Sequence, residues 1–293
     1  MFILQSRFWQ RTTILAITLL LGGMTRAMAQ EGAGGNPLAI NSNLPFTMPV
    51  PSDDSGAPTG RREGGSGRGD KIPLCNTLAE VHTQLCARAR LTALVPQTPL
   101  VNDKKRVWGL TQAAHPEFLF FLSRTQDPQD SQNALLPIEF VLQDEADQFI
   151  YRATFQVPLA KGGIVRLAVP QTSRPLEFGK RYTWTLYTHL SPNEPNFVQG
   201  TIYRRQLSAA DQQFLLSATP SQRLDLYMQQ GLWFDAIATL ADLKQGDSQF
   251  GSTWTRLLEQ IDLAELATAA FMPCCSAPQV SSALPSGPKT NSP

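Results

Sequence analysis

The chain has 293 residues, 25 lysines and arginines against 24 aspartates and glutamates, and a formal net charge of +1 at pH 7. Hydrophobic residues make up 42% and charged residues 17%, which is an ordinary globular composition. The length excludes a single small sandwich domain without flanking elements.

The first 29 residues have the pattern of a Sec-type signal peptide. Arg7 and Arg11 precede an apolar run from Ile14 to Leu21, and Ala27-Met28-Ala29 supplies small residues for cleavage. The apolar run is far shorter than the roughly 20 residues that span a bilayer, so a membrane anchor is the weaker alternative. We expect residues 1–29 to be removed and the mature protein to be periplasmic or extracellular, with no membrane span.

Residues 30–72 are rich in Gly, Pro, Asn and Ser and lack apolar periodicity, which predicts a flexible linker. The stretch 56–69 is rich in Gly and Arg, as are some segments that bind nucleic acid. However, no aromatic residue is interleaved, Glu63 and Asp70 offset part of the charge, and an exported protein seldom meets nucleic acid. We expect no nucleic-acid partner, and the purpose of this motif stays open.

The four cysteines form two pairs along the sequence. Because export leads to an oxidising compartment, Cys75 and Cys86 are predicted to form a local disulfide rather than a metal pair or a nucleophile. Cys274 and Cys275 are adjacent, and such neighbours rarely bond to each other without backbone strain. This favours a disordered tail over residues 273–293 with accessible thiols, and bridging between molecules is the alternative.

Residues 73–207 show short strands separated by turn signals, the pattern of an all-β sandwich. We predict seven strands: Leu91–Val95, Phe118–Leu122, Ile138–Gln143, Phe149–Val157, Val165–Val169, Tyr182–Leu186 and Val198–Ile202. The third and fourth should form a hairpin around a turn at residues 144–147. In the return strand, alternate residues are expected to face one side: Phe149, Tyr151, Ala153, Phe155 and Val157.

The strand that begins at Tyr182 gives the strongest indication of the fold. The spacing Leu176-x-x-Gly179-x-x-Tyr182 is typical of the tyrosine corner of fibronectin-type and immunoglobulin-like sandwiches, where the Tyr hydroxyl bonds to the loop before its strand. Tyr182, Trp184 and Leu186 should face the core. The predicted fold class is mainly β with C-terminal α, with a seven-stranded immunoglobulin/fibronectin-like antiparallel sandwich.

After Leu207 the hydrophobic period changes from two to about 3.6 residues, which predicts helices over residues 208–272. Ser208 and Thr219 are predicted N-caps, with Thr219 in a capping box. Gly231-x-Trp233-x-x-Ala236 resembles one helix-turn-helix unit of a tetratricopeptide repeat, which is too little for a peptide-binding array. We expect a short helical hairpin or three-helix unit that packs on itself or on the sandwich.

Charge is unevenly divided along the chain. Residues 208–272 carry eight acids against three bases, whereas the Gly- and Arg-rich stretch 56–69 of the linker and the run Lys104-Lys105-Arg106 are basic. These opposite charges would suit internal docking or a partner, but solvated faces are the favoured interpretation.

No catalytic or metal site is predicted, and no cofactor. None of the three histidines has metal-ligand spacing to another or to a Cys: His82, His115 and His189. Asp144, Glu145 and Asp147 offer the oxygen ligands that calcium prefers, but their place at a hairpin turn favours solvated turn residues. A pair of carboxylates for glycan hydrolysis needs to be close only in space, and nothing in the spacing favours one.

The outward side of the last two strands is the most suggestive surface. Its aromatic and polar residues would suit a carbohydrate or a peptide. The candidate ligand-binding residues are Tyr187, His189, Tyr203 and Arg205, beside Thr183, Thr185 and Thr201. We favour the competing interpretation, in which the helices cover part of this face because they need an apolar surface.

Several motifs, taken in order, resemble one family: Gly56-Ala57-Pro58 through Arg68-Gly69, Leu91–Pro96, Gly109-Leu110-Thr111, Glu139–Leu142, Leu176–Tyr182, Val198-x-Gly200 and Tyr227–Ala236. Over roughly residues 56–262 the chain is similar to the cyanobacterial exported proteins of the DUF928 domain family. The resemblance implies a cyanobacterial exported protein, and it supplies no catalytic residues because the family has no established activity. Family members often carry a Cys at the end of the tyrosine-corner strand, where this chain has His189, so a bridge from Cys75 to Cys86 is the substitute hypothesis.

We expect an exported, non-enzymatic binding or scaffold module for a protein or glycan of the cell envelope. The alternative is an envelope glycan hydrolase whose carboxylates the sequence does not identify. A third class is a structural partner in a larger envelope assembly, which would present a flat apolar patch on its helices.

Overall fold

The described part of the chain is mainly β, with helices at its C-terminal end. This computed structural model describes residues 46, 60–64, 90–100, 104–123, 135–158, 162–188 and 196–275. The strands are β1 (Glu63–Gly64), β2 (Arg90–Ala93), β3 (Gln97–Pro99), β4 (Lys105–Thr111), β5 (Glu117–Ser123), β6 (Leu135–Gln143), β7 (Phe149–Pro158), β8 (Gly163–Ala168), β9 (Arg181–Thr188) and β10 (Asn196–Arg204). The helices are α1 (Ala209–Ser217), α2 (Pro220–Gln229), α3 (Trp233–Gly246) and α4 (Gly251–Glu259). The prediction of a mainly β fold with C-terminal helices is confirmed, whereas residues 1–29, Cys75 and Cys86 lie outside the described residues.

The strands form two sheets. One has the order β1-β2-β5-β8, and the other has the order β3-β4-β10-β9-β6-β7. Each predicted strand corresponds to an observed one, and β1, β3 and β4 are additional, so the described residues hold ten strands rather than seven. The expectation of a wholly antiparallel arrangement is wrong, because β4 pairs with β10 in parallel, from Trp108 opposite Thr201 to Thr111 opposite Arg204.

The two sheets pack face to face through large aromatic side chains. Phe118 of β5 lies 5.0 Å from Phe140 of β6 and 6.0 Å from Trp184 of β9, measured between ring centroids. Gly200 makes room for this packing, since a Cβ atom there would lie 2.4 Å from the Trp184 ring. Strand β5 is buried on both faces, as its continuous apolar run predicts, because Leu119 on its other face is also buried.

The tyrosine corner is present. The Tyr182 hydroxyl accepts a hydrogen bond of 2.8 Å from the Glu177 backbone N–H. Gly179 has φ +77°, a conformation that glycine adopts without the steric cost of a Cβ atom. The expected inward residues Tyr182, Trp184 and Leu186 are each at most 2% exposed. This local prediction is confirmed in full.

The hairpin of β6 and β7 contains an irregularity that the alternation pattern does not predict. Leu142 pairs with Tyr151 and Gln143 pairs with Phe149, so Ile150 is an extra residue at a β-bulge. Ile150 is buried, whereas Phe149 is 56% exposed. The expectation that Phe149 faces the same side as Tyr151 is therefore wrong, because the bulge turns the side chains by one position.

Helices begin where the capping residues predict. The Ser208 side chain accepts a hydrogen bond from the Asp211 N–H at the start of α1. At the start of α2, Thr219 and Gln222 form both bonds of a capping box. Gly231, with φ +67°, provides the turn from α2 to α3, which pack against each other.

The helices pack on β4 and β5 through the first turn of α3. Trp233 is fully buried and donates an indole N–H bond of 2.9 Å to the Leu94 carbonyl. Phe234 lies 5.0 Å from Phe118, so it extends the core between the sheets. A Cβ atom at Gly109 would lie 2.9 Å from Phe234, so glycine permits this close approach.

Ion pairs tie the helical region to the smaller sheet. Arg166 of β8 pairs with Glu117 of β5 and with Asp242 of α3, the latter at 2.7 Å. Arg90 of β2 pairs with Glu265 at 2.9 Å. The strands and helices described here belong to one compact unit within Leu38–Pro293.

Residues 60–64, within the predicted flexible linker, join the two sheets. Arg61 forms an antiparallel bridge with Gln199 of β10, through backbone hydrogen bonds of 2.7 and 2.8 Å. Two residues later, β1 pairs with β2 of the other sheet. Arg62 between them is 5% exposed and donates a hydrogen bond to the Ile261 carbonyl beyond α4. Residues 60–64 of the Gly- and Arg-rich motif therefore have a structural role, and we call them the clasp.

The chain after the helices pairs with the edge of the smaller sheet. The Met272 N–H bonds to the Ile164 carbonyl at 2.8 Å, and Phe271 bridges Ile164 in parallel. Cys274 and Cys275 are joined to each other by a disulfide. The expectation of accessible thiols at these two positions is therefore not met in this structure, and Cys275 takes the left-handed conformation with φ +69°.

Candidate functional site

The candidate ligand-binding residues lie at two separate places on the larger sheet. Tyr187 pairs across the strands with Phe197, whereas Tyr203 pairs with Arg181. Arg181 and Tyr187 are six residue steps apart along β9, which corresponds to about 20 Å at roughly 3.3 Å per residue. His189 lies outside the described residues.

Arg205 is engaged by the helices. Its guanidinium donates a hydrogen bond of 2.5 Å to the Gln230 side chain at the C-terminal end of α2. Tyr203, two residues earlier in the chain, is 38% exposed. The helices therefore contact the Arg205 end of the outer face of β9 and β10. They pack against β4 and β5, and not over Tyr187.

At the other end of the face, three side chains form an aromatic and cationic cluster. The Tyr187 and Phe197 rings lie 5.7 Å apart with an interplanar angle of 41°, and we call them the aromatic pair. The Arg61 guanidinium lies 5.2 Å from the centre of the Phe197 ring, a cation–π distance. The aromatic residues are partly exposed, so a ligand can reach this cluster.

Arg61 also lines an open groove of about 340 Å³. Its lining residues, which we call the basic groove, are Gly60, Arg61, Arg62, Glu63, Gln97, Lys104 and Lys105. The volume lies at the lower end of the range of small-ligand sites. The groove and the aromatic pair share Arg61, so they form one continuous surface, which is the candidate site.

Backbone hydrogen bonds hold the walls of the basic groove. The Gly60 N–H bonds to the Lys105 carbonyl at 3.0 Å, which joins the clasp to the start of β4. A Cβ atom at Gly60 would lie 2.5 Å from the Val107 Cβ atom, so a larger residue would push the walls apart. The Arg61 side chain is fixed from within the clasp, because its Nε–H donates to the Glu63 carbonyl at 2.9 Å.

Two basic stretches that lie far apart in the sequence meet in the groove. The Gly- and Arg-rich stretch supplies Arg61 and Arg62, and the run that begins at Lys104 supplies the opposite wall. Of the three predicted ligand-binding residues that the structure describes, Tyr187 alone adjoins this surface. Phe197 was missed because it precedes the predicted strand Val198–Ile202, and Gln97 because β3 was not predicted.

The acidic residues of the hairpin turn are arranged as turn residues. One Asp144 carboxylate oxygen accepts N–H bonds from Ala146 and Gln148, and the other pairs with Arg174 at 2.5 Å. These contacts hold the pKa of Asp144 below its ordinary value, with the Gln148 N–H as the main cause. Among the described residues, no group of three or more His, Cys, Asp or Glu side chains is placed to hold a metal ion.

One buried carboxyl group has a strongly raised pKa. Asp235 in the first turn of α3 accepts a 3.0 Å bond from the Gln112 N–H. Protein atoms crowd the group even though the residue keeps some exposed surface, and this desolvation raises its pKa to about 6, against the effect of its hydrogen bonds. Asp235 joins α3 to the chain after β4, so it lies at a structural junction and not in the basic groove.

Comparison with known proteins identifies one family. Residues 63–271, more than two thirds of the chain, match the family described as Domain of Unknown Function (DUF928). No curated protein matches the chain. In the part of the chain that the structure describes, no helix is long and apolar enough to cross a membrane.

Two solved structures share limited similarity with this chain. The β-glucuronidase of Bifidobacterium dentium complexed with coumarin-3-O-glucuronide is 10% identical, with a TM-score of 0.22 over 33% of this chain and 15% of that one. The β-glucuronidase of Parabacteroides merdae with glycerol in its active site is 9% identical, with a TM-score of 0.24 over 41% and 14%. The matched region spans less than a sixth of either enzyme, and a similarity this low carries no argument about function.

Proposed function

Because the chain belongs to the DUF928 family, for which no function is defined, we propose a function from its surface: an exported, non-enzymatic binding or scaffold module for a protein or glycan partner of the cell envelope. The signal-peptide pattern of residues 1–29 supports export to the periplasm or the cell exterior. The resemblance to cyanobacterial exported proteins supports the same compartment.

The observation that carries this proposal is the continuity of the aromatic pair with the basic groove. Partly exposed aromatic rings offer flat apolar faces, and the adjoining cations offer directional hydrogen-bond donors. Ligand sites commonly combine these two features. The scaffold beneath them is rigid, because each wall belongs to a hydrogen-bonded strand or clasp.

An immunoglobulin/fibronectin-like fold type also supports a binding role, and we propose it here. Strands β2, β5 and β8 lie opposite β4, β10, β9, β6 and β7, and the tyrosine corner precedes β9. Domains of this architecture bind ligands at their loops and on the outer faces of their sheets. Fold alone does not determine function, so the weight rests on the candidate site.

Affinity capture tests the proposal. Residues 30–293, immobilised, are incubated with envelope extract, and bound sugar and protein are quantified. We expect a specific partner to be retained, and a chain carrying both Tyr187→Ala and Phe197→Ala to lose it. Tyr203→Ala, at the far end of the face, serves as the matched control and should keep it.

Two results would contradict this function. Recovery of neither a protein nor a glycan would remove its basis. Release of new reducing sugar ends during incubation with envelope glycan would replace it with the hydrolase alternative.

A further inference from the structure

The basic groove carries an excess of positive charge that its own residues do not neutralise. Four cationic side chains and one carboxylate line it, a balance of +3. The carboxylate belongs to Glu63, which lies 3.6 Å from the buried Arg62 guanidinium, so these two charges compensate each other. The cations left over are Arg61, Lys104 and Lys105.

These three cations are available to a ligand. Lys104 and Lys105 are exposed. In the part of the chain that the structure describes, neither side chain forms an ion pair. The Arg61 guanidinium contacts a carbonyl and an aromatic ring, and both contacts leave its charge uncompensated. Three unpaired cations on one groove favour an anionic ligand, because charge-assisted hydrogen bonds are the stronger kind.

The adjoining aromatic pair restricts the class of anion. A simple inorganic anion would contact the cations and leave the rings unused. Arg61 lies against Phe197, so a ligand at Arg61 meets a ring face next to its acidic group. Sugars that carry carboxylate or sulfate groups combine an acidic group with an apolar C–H face that fits an aromatic ring.

We infer that this surface binds an acidic polysaccharide. Arg61, Lys104 and Lys105 contact carboxylate or sulfate groups in the basic groove, and the aromatic pair packs against a neighbouring sugar ring. This inference rests on the proposed binding function and specifies its ligand class.

Calorimetric titration with defined polymers tests this inference. Residues 30–293 are titrated with polygalacturonate, with dextran sulfate and with unmodified dextran, at low and at physiological ionic strength. We expect at least one acidic polymer to bind and dextran to bind far more weakly, with affinity falling as salt screens the charges. Preference between the two acidic polymers then distinguishes carboxylate from sulfate recognition.

Substitutions locate the binding on this surface. The double variant Lys104→Gln, Lys105→Gln should weaken binding of the acidic polymer about tenfold, since it removes two exposed charge contacts. The matched control is Lys180→Gln, because Lys180 is also an exposed lysine but pairs with Glu177. It should bind as the unchanged chain does.

Three outcomes would overturn the inference. They are equal binding of dextran and the acidic polymers, unchanged binding by the lysine double variant, and equally tight binding of double-stranded DNA, which would indicate attraction to any polyanion. If envelope capture still depends on Tyr187 and Phe197 under any of these outcomes, the proposed function stands and only the acidic ligand class fails.

Discussion

At the scale of single residues, Tyr182 links the loop before β9 to the core. Its ring is 2% exposed and its hydroxyl holds the Glu177 N–H. Tyr182→Phe keeps the ring and removes the acceptor, leaving that N–H without its partner. We expect a loss of about 1 kcal/mol in the free energy of unfolding, measured by urea denaturation.

The control for this substitution is Tyr203→Phe, because Tyr203 is 38% exposed. It should change the free energy of unfolding by far less. Equal effects of the two substitutions would contradict a stabilising role for the tyrosine corner.

Asp235 makes stability depend on pH in a direction that differs from that of most carboxylates. Its pKa rises from 3.8 to about 6 on folding because burial disfavours the charged form. The folded state therefore binds the proton more tightly than the unfolded chain does. This contribution to stability is fully present below about pH 4 and is lost as the pH rises through about 6.

Comparison with Asp235→Asn isolates this effect. The variant keeps an acceptor for the Gln112 N–H and does not titrate. As the pH rises from about 4 to about 7.5, the free energy of unfolding of the unchanged chain should fall by about 2–3 kcal/mol relative to that of the variant. Urea denaturation of both proteins at each pH measures the difference, and a constant difference would show that the carboxyl group has an ordinary pKa in the folded protein.

At the scale of elements, the capping box of α2 is both predicted and observed. Thr219→Ala removes the side-chain acceptor of the Gln222 N–H. We expect the free energy of unfolding to fall by about 1 kcal/mol, which is measured as a lower thermal midpoint. Ser217→Ala, at an exposed position two residues earlier at the end of α1, is the matched control and should leave the midpoint nearly unchanged.

The predictable elements are those with local signals. The caps at Ser208 and Thr219, the corner at Tyr182 and the strand alternation each depend on residues within a few positions of one another. The bulge at Ile150 was missed because alternation alone does not reveal one extra residue. Strand β1 was missed because glycine and, to a lesser degree, glutamate are poor strand formers, and it exists here through its pairing with β2.

The candidate site was predictable only in part. The sequence identifies Tyr187 and both basic stretches. Their meeting depends on contacts between distant parts of the chain, such as Arg61 with Gln199 and Gly60 with Lys105. Pairing over such separations is set by the whole fold, so no local pattern could reveal the groove.

At the scale of the whole molecule, strands and helices share one core. Trp233 and Phe234 are buried against Leu94 and Phe118, so the helices complete the sandwich rather than form a separate domain. We expect one cooperative thermal transition, with equal calorimetric and van't Hoff enthalpies. A chain that ends at residue 207 should fail to fold, because it leaves this apolar surface exposed to water.

Differential scanning calorimetry of the full chain measures this cooperativity. The circular dichroism spectrum of the shortened chain provides the second readout. Two separate transitions, or a shortened chain with a native-like β spectrum and a sharp melting transition, would contradict a shared core.

The clasp at residues 60–64 and the segment that ends in Met272 have a joint consequence for biosynthesis. The clasp lies near the start of the region that matches the family, and it pairs with Gln199 and with β2. The segment that ends in Met272 lies near the end of that region, and it pairs with Ile164 of β8. Among the described residues, the free edge of β8 is covered by Phe271 and Met272, which follow every strand and helix of the core in the sequence. Until residues 271 and 272 have been synthesised and have paired, β8 presents an unpaired strand edge to which a neighbouring chain can add.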